Sequence, residues 1–135
     1  MGCALDNYLE QTKNPGWDQP QVLKVSESTL NFAKSRGLSV HQGDLFNHGF
    51  EPNYSDLIMW QDMIEHRTDA IAQLTGSYQL LKPGICIVIT TPNMGGFLHR
   101  LLGSSWHHYK PTEHLTYFCP DTIKFALEKS GFSHV

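Results

Sequence analysis

Two histidines and three oxygen-bearing side chains are the residues of this 135-residue sequence best suited to chemistry at a binding site. His66 and His114 each carry an imidazole whose ordinary pKa lies near neutrality, so either could remove a proton from a substrate. Asp44, Gln61 and Asp62 carry oxygen atoms that can accept hydrogen bonds from a ligand. These residues predict a site that binds a small molecule and accepts a proton from it.

Both histidines also have structural interpretations. His66 follows Glu65, and its imidazole could instead bond to nearby backbone at the start of a helix. His114 could make structural hydrogen bonds within an aromatic-rich stretch, or it could bind a metal ion there. A metal site in that stretch would use His107, His108, His114 and Glu113. Because no nearby cysteine or further carboxylate completes this ligand set, the sequence predicts no metal site.

The composition indicates one domain over residues 1–135. Hydrophobic residues make up 40% of the chain, which is enough for a core. The net charge of −3 gives no electrostatic basis for binding nucleic acid or an anionic membrane surface. The longest strongly apolar run, Ile85–Ile89, is too short to span a bilayer. Three widely spaced cysteines argue against a disulfide framework, and no secretory signal is visible, so we expect a cytoplasmic protein.

The elements that must position these residues alternate between strands and helices, which predicts an α/β fold with a parallel sheet. Strands are predicted over residues 21–25, 38–43, 56–60 and 85–90. Helices are predicted over residues 4–13, 27–36, 69–81 and 120–129, with another that ends at Leu102. The strand over 56–60 is largely apolar, as expected of a strand covered on both faces. Residues 103–118 form an irregular, aromatic-rich loop.

Ligands of parallel α/β sheets bind at the carboxyl ends of the strands. Asp44 and Leu45 follow the second predicted strand, while Gln61 and Asp62 follow the third. Asp44 could alternatively serve only as a turn residue that caps the next segment. We therefore expect any small-molecule site to be built from the residues directly after the strands.

Motifs in register along the chain resemble those of class I S-adenosylmethionine-dependent methyltransferases. They are Gly43-Asp44-Leu45, residues 55–66, Leu80-Leu81-Lys82-Pro83-Gly84 and Thr90-Thr91-Pro92-Asn93. Residues 106–115, with the sequence WHHYKPTEHL, are similar to a bacterial branch related to the ubiquinone-biosynthesis O-methyltransferases. The resemblance implies a Rossmann-like, doubly wound, mostly parallel sheet, with residues 103–118 as a lid or substrate loop.

The resemblance also implies a cofactor, a substrate class and site residues. The cofactor would be S-adenosyl-L-methionine, and the methyl acceptor would be a small molecule that reacts through oxygen, with nitrogen or carbon as alternatives. His66 or His114 would remove the acceptor proton. The cofactor-binding residues implied are Gly2, Ala4 and Asp6 in a loop at the methionine part, Lys24 at the ribose, Asp44 at the adenine with Leu45 beside it, and Gln61 and Asp62 next to the cofactor.

The sequence departs from the family pattern at two cofactor positions. Asp6 replaces the third glycine of the loop, and Lys24 replaces the acidic residue that accepts hydrogen bonds from the ribose. An ammonium group can donate but cannot accept. Losing a charged hydrogen-bond partner costs about 1.5–3 kcal/mol, or roughly 10- to 150-fold in affinity.

The chain is also shorter than the family pattern, since neither the first strand nor the closing strand pair has a match. The expectation is a truncated domain whose exposed sheet edge could promote self-association. The alternative function is therefore a non-catalytic methyltransferase remnant that binds the cofactor weakly or not at all.

Overall fold

A computed structural model of the chain describes residues 21–24, 39–42, 45–47 and 49–135. The chain divides into two compact units, Met1–Phe50 and Glu51–Val135, which we describe one at a time. The helices predicted over residues 4–13 and 27–36 lie outside the described residues. The single domain predicted over residues 1–135 stays a prediction.

In the first unit, two short strands form a parallel pair. Strand β1 covers Gln21–Lys24 and strand β2 covers Ser39–Gln42. Their register runs from Gln21 opposite Ser39 to Lys24 opposite Gln42. The sequence predicts both strands to within one residue at each end, and the parallel pairing agrees with the predicted α/β class.

A second parallel pair in the second unit forms the edge at which the predicted polar residues lie. Strand β3 covers Ile58–Gln61 and strand β4 covers Ile87–Thr90, with Gln61 opposite Thr90 at the carboxyl ends. The backbone N–H of Asp62 donates to the carbonyl of Thr90 at 3.0 Å. Residues that follow the two strands are therefore neighbours at one edge of the pair.

Helix α1, Ala70–Leu80, connects the two strands. It begins after Asp69, whose carboxylate accepts the Ala72 backbone N–H at 2.9 Å. Helical spacing predicts an inward face made of Ile71, Leu74, Tyr78 and Leu81. This prediction is partly wrong, because Ile71 and Tyr78 are 42% and 48% exposed. The buried face of the helix instead centres on Ser77.

Ser77 is fully buried in α1 because both hydrogen-bonding capacities of its hydroxyl are used. Its Oγ accepts from the indole Nε1 of Trp60 at 3.1 Å and donates to the carbonyl of Gln73 at 3.0 Å. A pattern of apolar residues does not detect a polar residue that is buried in this way. Leu74 and Leu80 lie on the same buried side of the helix.

Two further helices complete the second unit. Helix α2 covers Phe97–Leu102 and helix α3 covers Pro120–Lys129. Pro120 occupies the first turn of α3, and the Thr122 hydroxyl accepts the Cys119 N–H at 2.9 Å. Both helices end where the sequence predicts. A single 3₁₀ turn, Gly103–Ser105, begins the irregular stretch between them.

The two faces of the β3–β4 pair differ in exposure among the described residues. Trp60 is buried against α1, whereas Met59 and its register partner Val88 are exposed. Side-chain exposure thus alternates along these strands, and the expectation of a strand covered on both faces stays a prediction. Among the described residues, no helix combines the length and apolar character that crossing a bilayer requires.

Candidate functional site

A 3₁₀ turn, Ile64–His66, lies three residues after β3 and forms the centre of the candidate site. We call it the Glu65 turn. Asp62, which precedes it, has a φ of 44°, so the chain turns sharply as it leaves the strand. Ile64 is fully buried and Glu65 is 2% exposed. A glutamate with so little exposure needs partners or a function.

The predicted substrate loop is fixed to the Glu65 turn by backbone hydrogen bonds. The N–H groups of Leu115 and Thr116 both donate to the carbonyl of Glu65, at 2.8 and 3.0 Å. In return, Nδ1 of His66 donates to the carbonyl of Glu113 at 2.8 Å. This bond is the backbone contact that the structural interpretation of His66 expects, and it joins segments 47 residues apart in sequence.

These contacts bring the two predicted catalytic histidines together. The ring centroids of His66 and His114 lie 4.8 Å apart in a T-shaped arrangement, and we call these residues the histidine pair. His114 is 7% exposed, while the side chain of His66 is one-third exposed. The Tyr117 ring contacts the other side of His114 at 5.7 Å. The pair therefore has a buried member and a solvent-accessible member.

The environment favours a neutral imidazole at His114. Burial lowers its pKa below the ordinary value of 6.5, and the neighbouring His66 lowers the pKa further. The charges of Glu65 and Glu113 raise the pKa of His114, but its pKa is still lowered overall. A neutral imidazole keeps a nitrogen lone pair that can accept a proton or bind a cation.

Glu65 is a candidate site residue that the sequence does not predict. Its Oε2 accepts the Thr91 hydroxyl at 2.9 Å, which ties the Glu65 turn to the residue after β4. Its Oε1 is buried without a hydrogen-bond partner and lies 4.0 Å from Nε2 of His66. The available signal was its position, since an acidic residue stands directly before a candidate base near a strand end.

Unpaired polar atoms cluster around the histidine pair. The buried side-chain atoms without a hydrogen-bond partner among the described residues are Glu65 Oε1, Arg67 Nε, His114 Nδ1 and Tyr117 Oη. One ligand-type atom each from Glu65, His66 and His114 lies within 4.8 Å of the other two. Glu65 thus supplies, from another segment of the chain, the further carboxylate that the sequence does not provide near His114.

Aromatic side chains of the loop mainly contribute packing. Trp106 and Phe118 are buried, and the rings of Tyr109 and Tyr117 stack at 5.6 Å. Packing is the role that the sequence favours for most of these rings. His107 and His108 contact each other in the same loop, but both are exposed.

The predicted cofactor residues are described only in part. Gln61 is half-buried at the end of β3, and Asp62 is exposed directly after it. Lys24 ends β1 and Leu45 is half-buried in the first unit. The remaining predicted residues, which lie outside the described residues, are Gly2, Ala4, Asp6 and Asp44. The cofactor roles of all eight residues stay predictions.

The chain belongs to a methyltransferase family, because a family model described as a methyltransferase domain matches residues 4–135. The class that the sequence motifs suggest is therefore confirmed at this level. The narrower resemblance to ubiquinone-biosynthesis O-methyltransferases stays a prediction. No curated protein matches the chain.

Solved methyltransferase structures share its fold. A SAM-dependent methyltransferase from Archaeoglobus fulgidus matches with a TM-score of 0.78 and 26% identity, covering 98% of this chain and 58% of that one. A possible histamine N-methyltransferase from Thermotoga maritima gives 0.72 and 20%, covering 84% and 55%. Phosphoethanolamine N-methyltransferase 2 from Haemonchus contortus, in complex with S-adenosyl-L-methionine, gives 0.67 and 21%, covering 92% and 30%.

These structures confirm the predicted Rossmann-like α/β fold. The chain spans only part of their length: 55% of the Thermotoga protein and 58% of the Archaeoglobus protein. Activities of the whole relatives are therefore carried to this chain only as proposals.

Proposed function

We propose that the chain transfers a methyl group from S-adenosyl-L-methionine to an oxygen atom of a small-molecule acceptor. The observation that carries the proposal is the position of the histidine pair beside the carboxyl end of β3, in a chain that belongs to a methyltransferase family. Ligands of this fold class bind at that edge. A hydroxyl acceptor must lose a proton as it is methylated, and either imidazole of the histidine pair could accept that proton.

The described residues suit this chemistry because some can bind the cofactor and others can accept the proton of the methyl acceptor. When bound, the cofactor supplies an electrophilic methyl group. Gln61 and Asp62 offer oxygen acceptors for its donor groups. Because a carbonyl can only accept, the bond from His66 to Glu113 places a proton on Nδ1, and in the neutral ring Nε2 then carries the lone pair. That nitrogen, or one on His114, would receive the acceptor proton.

Lys24 favours a second candidate, a domain that does not catalyse methyl transfer. It stands where the resemblance places an acidic ribose ligand, and its ammonium group cannot accept a hydrogen bond. Asp6 adds a carboxylate in the predicted cofactor loop, near the cofactor's own carboxylate. The enzyme candidate therefore requires cofactor binding, whereas the non-catalytic candidate binds the cofactor weakly or not at all. This difference can be measured without knowing the methyl acceptor.

Calorimetric titration with S-adenosylhomocysteine tests the two candidates. Micromolar binding supports the enzyme and rules out the remnant, whereas no heat at millimolar ligand rules out the enzyme. The double variant Lys24→Asp with Asp6→Gly should bind roughly 10- to 150-fold more tightly, because it restores a ribose acceptor and removes the loop carboxylate. An unchanged affinity would show that these positions are wrongly assigned. Lys129→Asp, a charge reversal on α3, is the matched control.

A further inference from the structure

We propose that Glu65, His66 and His114 form a binding site for a divalent transition-metal ion of the zinc type. Their ligand-type atoms lie within 4.8 Å of one another. Two of the three residues are more than nine-tenths buried, and each has an unpaired polar atom: Oε1 of Glu65 and Nδ1 of His114. Two imidazoles and one carboxylate form a ligand set that zinc uses when a fourth position stays open.

Each of the first two ligands is already oriented by a bond on its far side. Oε2 of Glu65 is held by the Thr91 hydroxyl, which leaves Oε1 as the free ligand atom. Nδ1 of His66 donates to the carbonyl of Glu113, which leaves Nε2 unprotonated in the neutral ring. Metal-binding histidines typically donate their second N–H to a carbonyl or carboxylate in this way.

A cation satisfies the three groups better than water does. When the imidazoles are neutral, the three ligand atoms can all act as acceptors, since a carboxylate oxygen and a deprotonated ring nitrogen carry lone pairs. One water molecule has only two protons, so at least one acceptor would remain unpaired. A bound cation interacts with all three. Zinc bonds of about 2.0–2.2 Å require ligand atoms about 3.3–3.6 Å apart, so binding would draw the groups together by roughly 1 Å.

Metal binding would regulate the site of the proposed function. A nitrogen lone pair that binds a metal ion cannot accept a proton at the same time. An occupied site would therefore inhibit the methyl transfer proposed above, and this consequence rests on that proposal. The partly exposed side chain of His66 gives the ion a route from solvent to the two buried ligands.

Titration of the metal-free, untagged full chain with Zn²⁺ and Co²⁺ tests metal binding without any assay of activity. We expect one ion per chain by calorimetry, with the intense visible absorption of four-coordinate Co²⁺. Glu65→Gln should weaken binding at least about tenfold, because the neutral amide is a poor ligand. A His107→Asn, His108→Asn double variant is the control, since it removes two exposed histidines of the same loop.

The outcomes separate the alternatives. Absence of binding, or binding that Glu65→Gln leaves unchanged, overturns the proposal, and loss of binding only in the control assigns the ion to surface histidines. If Glu65→Gln fails to fold by circular dichroism, His66→Asn on the partly exposed ligand gives the same test. Binding of Zn²⁺ without binding of S-adenosylhomocysteine would retain the metal site while rejecting the proposed function.

Discussion

Two histidine–histidine contacts in the described part of the chain have nearly identical ring geometry and very different surroundings. His66 and His114 lie 4.8 Å apart at an interplanar angle of 79°, and His107 and His108 lie 5.3 Å apart at 78°. The second contact joins adjacent residues that are exposed to solvent. The histidine pair joins distant segments, includes a buried ring and is fixed by backbone hydrogen bonds. The candidate site thus differs from the exposed contact in burial and anchoring rather than in ring geometry.

The largest expected effect tests this contrast in catalysis. At least one of His66→Ala and His114→Ala should lower methyl transfer by about 10²–10⁴-fold, which is the usual contribution of a positioned general base. His107→Ala and His108→Ala should leave the rate unchanged. The measurement is transfer of a labelled methyl group from S-adenosyl-L-methionine to a panel of small phenols. Equal losses from all four variants would remove the distinction between the two contacts.

A smaller effect tests the anchoring of Glu65. Thr91→Val keeps the shape of the side chain but removes the hydroxyl that donates to Oε2, so both carboxylate oxygens become unpaired. We expect a loss of about 1–3 kcal/mol in the free energy of unfolding measured with urea. Thr75→Val is the matched control, because the Thr75 hydroxyl only donates to a carbonyl in its own helix. Equal losses in the two variants would mean that Glu65 is not held by Thr91.

The smallest effect concerns the ion pair between Lys110 and Glu113, which lies next to His114. The charged atoms are 3.6 Å apart and both side chains are substantially exposed. Lys110→Ala should change the free energy of unfolding by less than about 1 kcal/mol, since solvent screens exposed pairs. The backbone bonds from Glu113 and His114 to the Lys110 carbonyl remain in the variant. A loss as large as that of Thr91→Val would show that charge, rather than backbone, positions His114.

Local chemistry made the elements of the second unit predictable. Pro120 and Gly131 mark the ends of α3 through ring geometry and a positive φ, as the sequence indicates, while Asp69 caps α1 rather than lying inside it. The buried face of α1 was less predictable, because Ser77 is buried through hydrogen bonds that depend on Trp60 in another element.

The candidate site was predictable in its residues but not in its assembly. Sequence pattern selected His66 and His114 separately, as alternatives for one role. It could not show that residues 113–116 fold back onto the carbonyl of Glu65, because that contact depends on tertiary packing. For the same reason the sequence supplied no carboxylate for His114 beyond Glu113, although Glu65 lies beside it in space.

The two loop N–H groups bound to the Glu65 carbonyl couple the position of the loop to the position of His114. Any movement that lifts residues 113–116 away from the Glu65 turn breaks these bonds and carries His114 away from His66. Opening of the loop and separation of the histidines are therefore one event. Under the proposed function, this single carbonyl would therefore couple access of an acceptor to assembly of the two imidazoles.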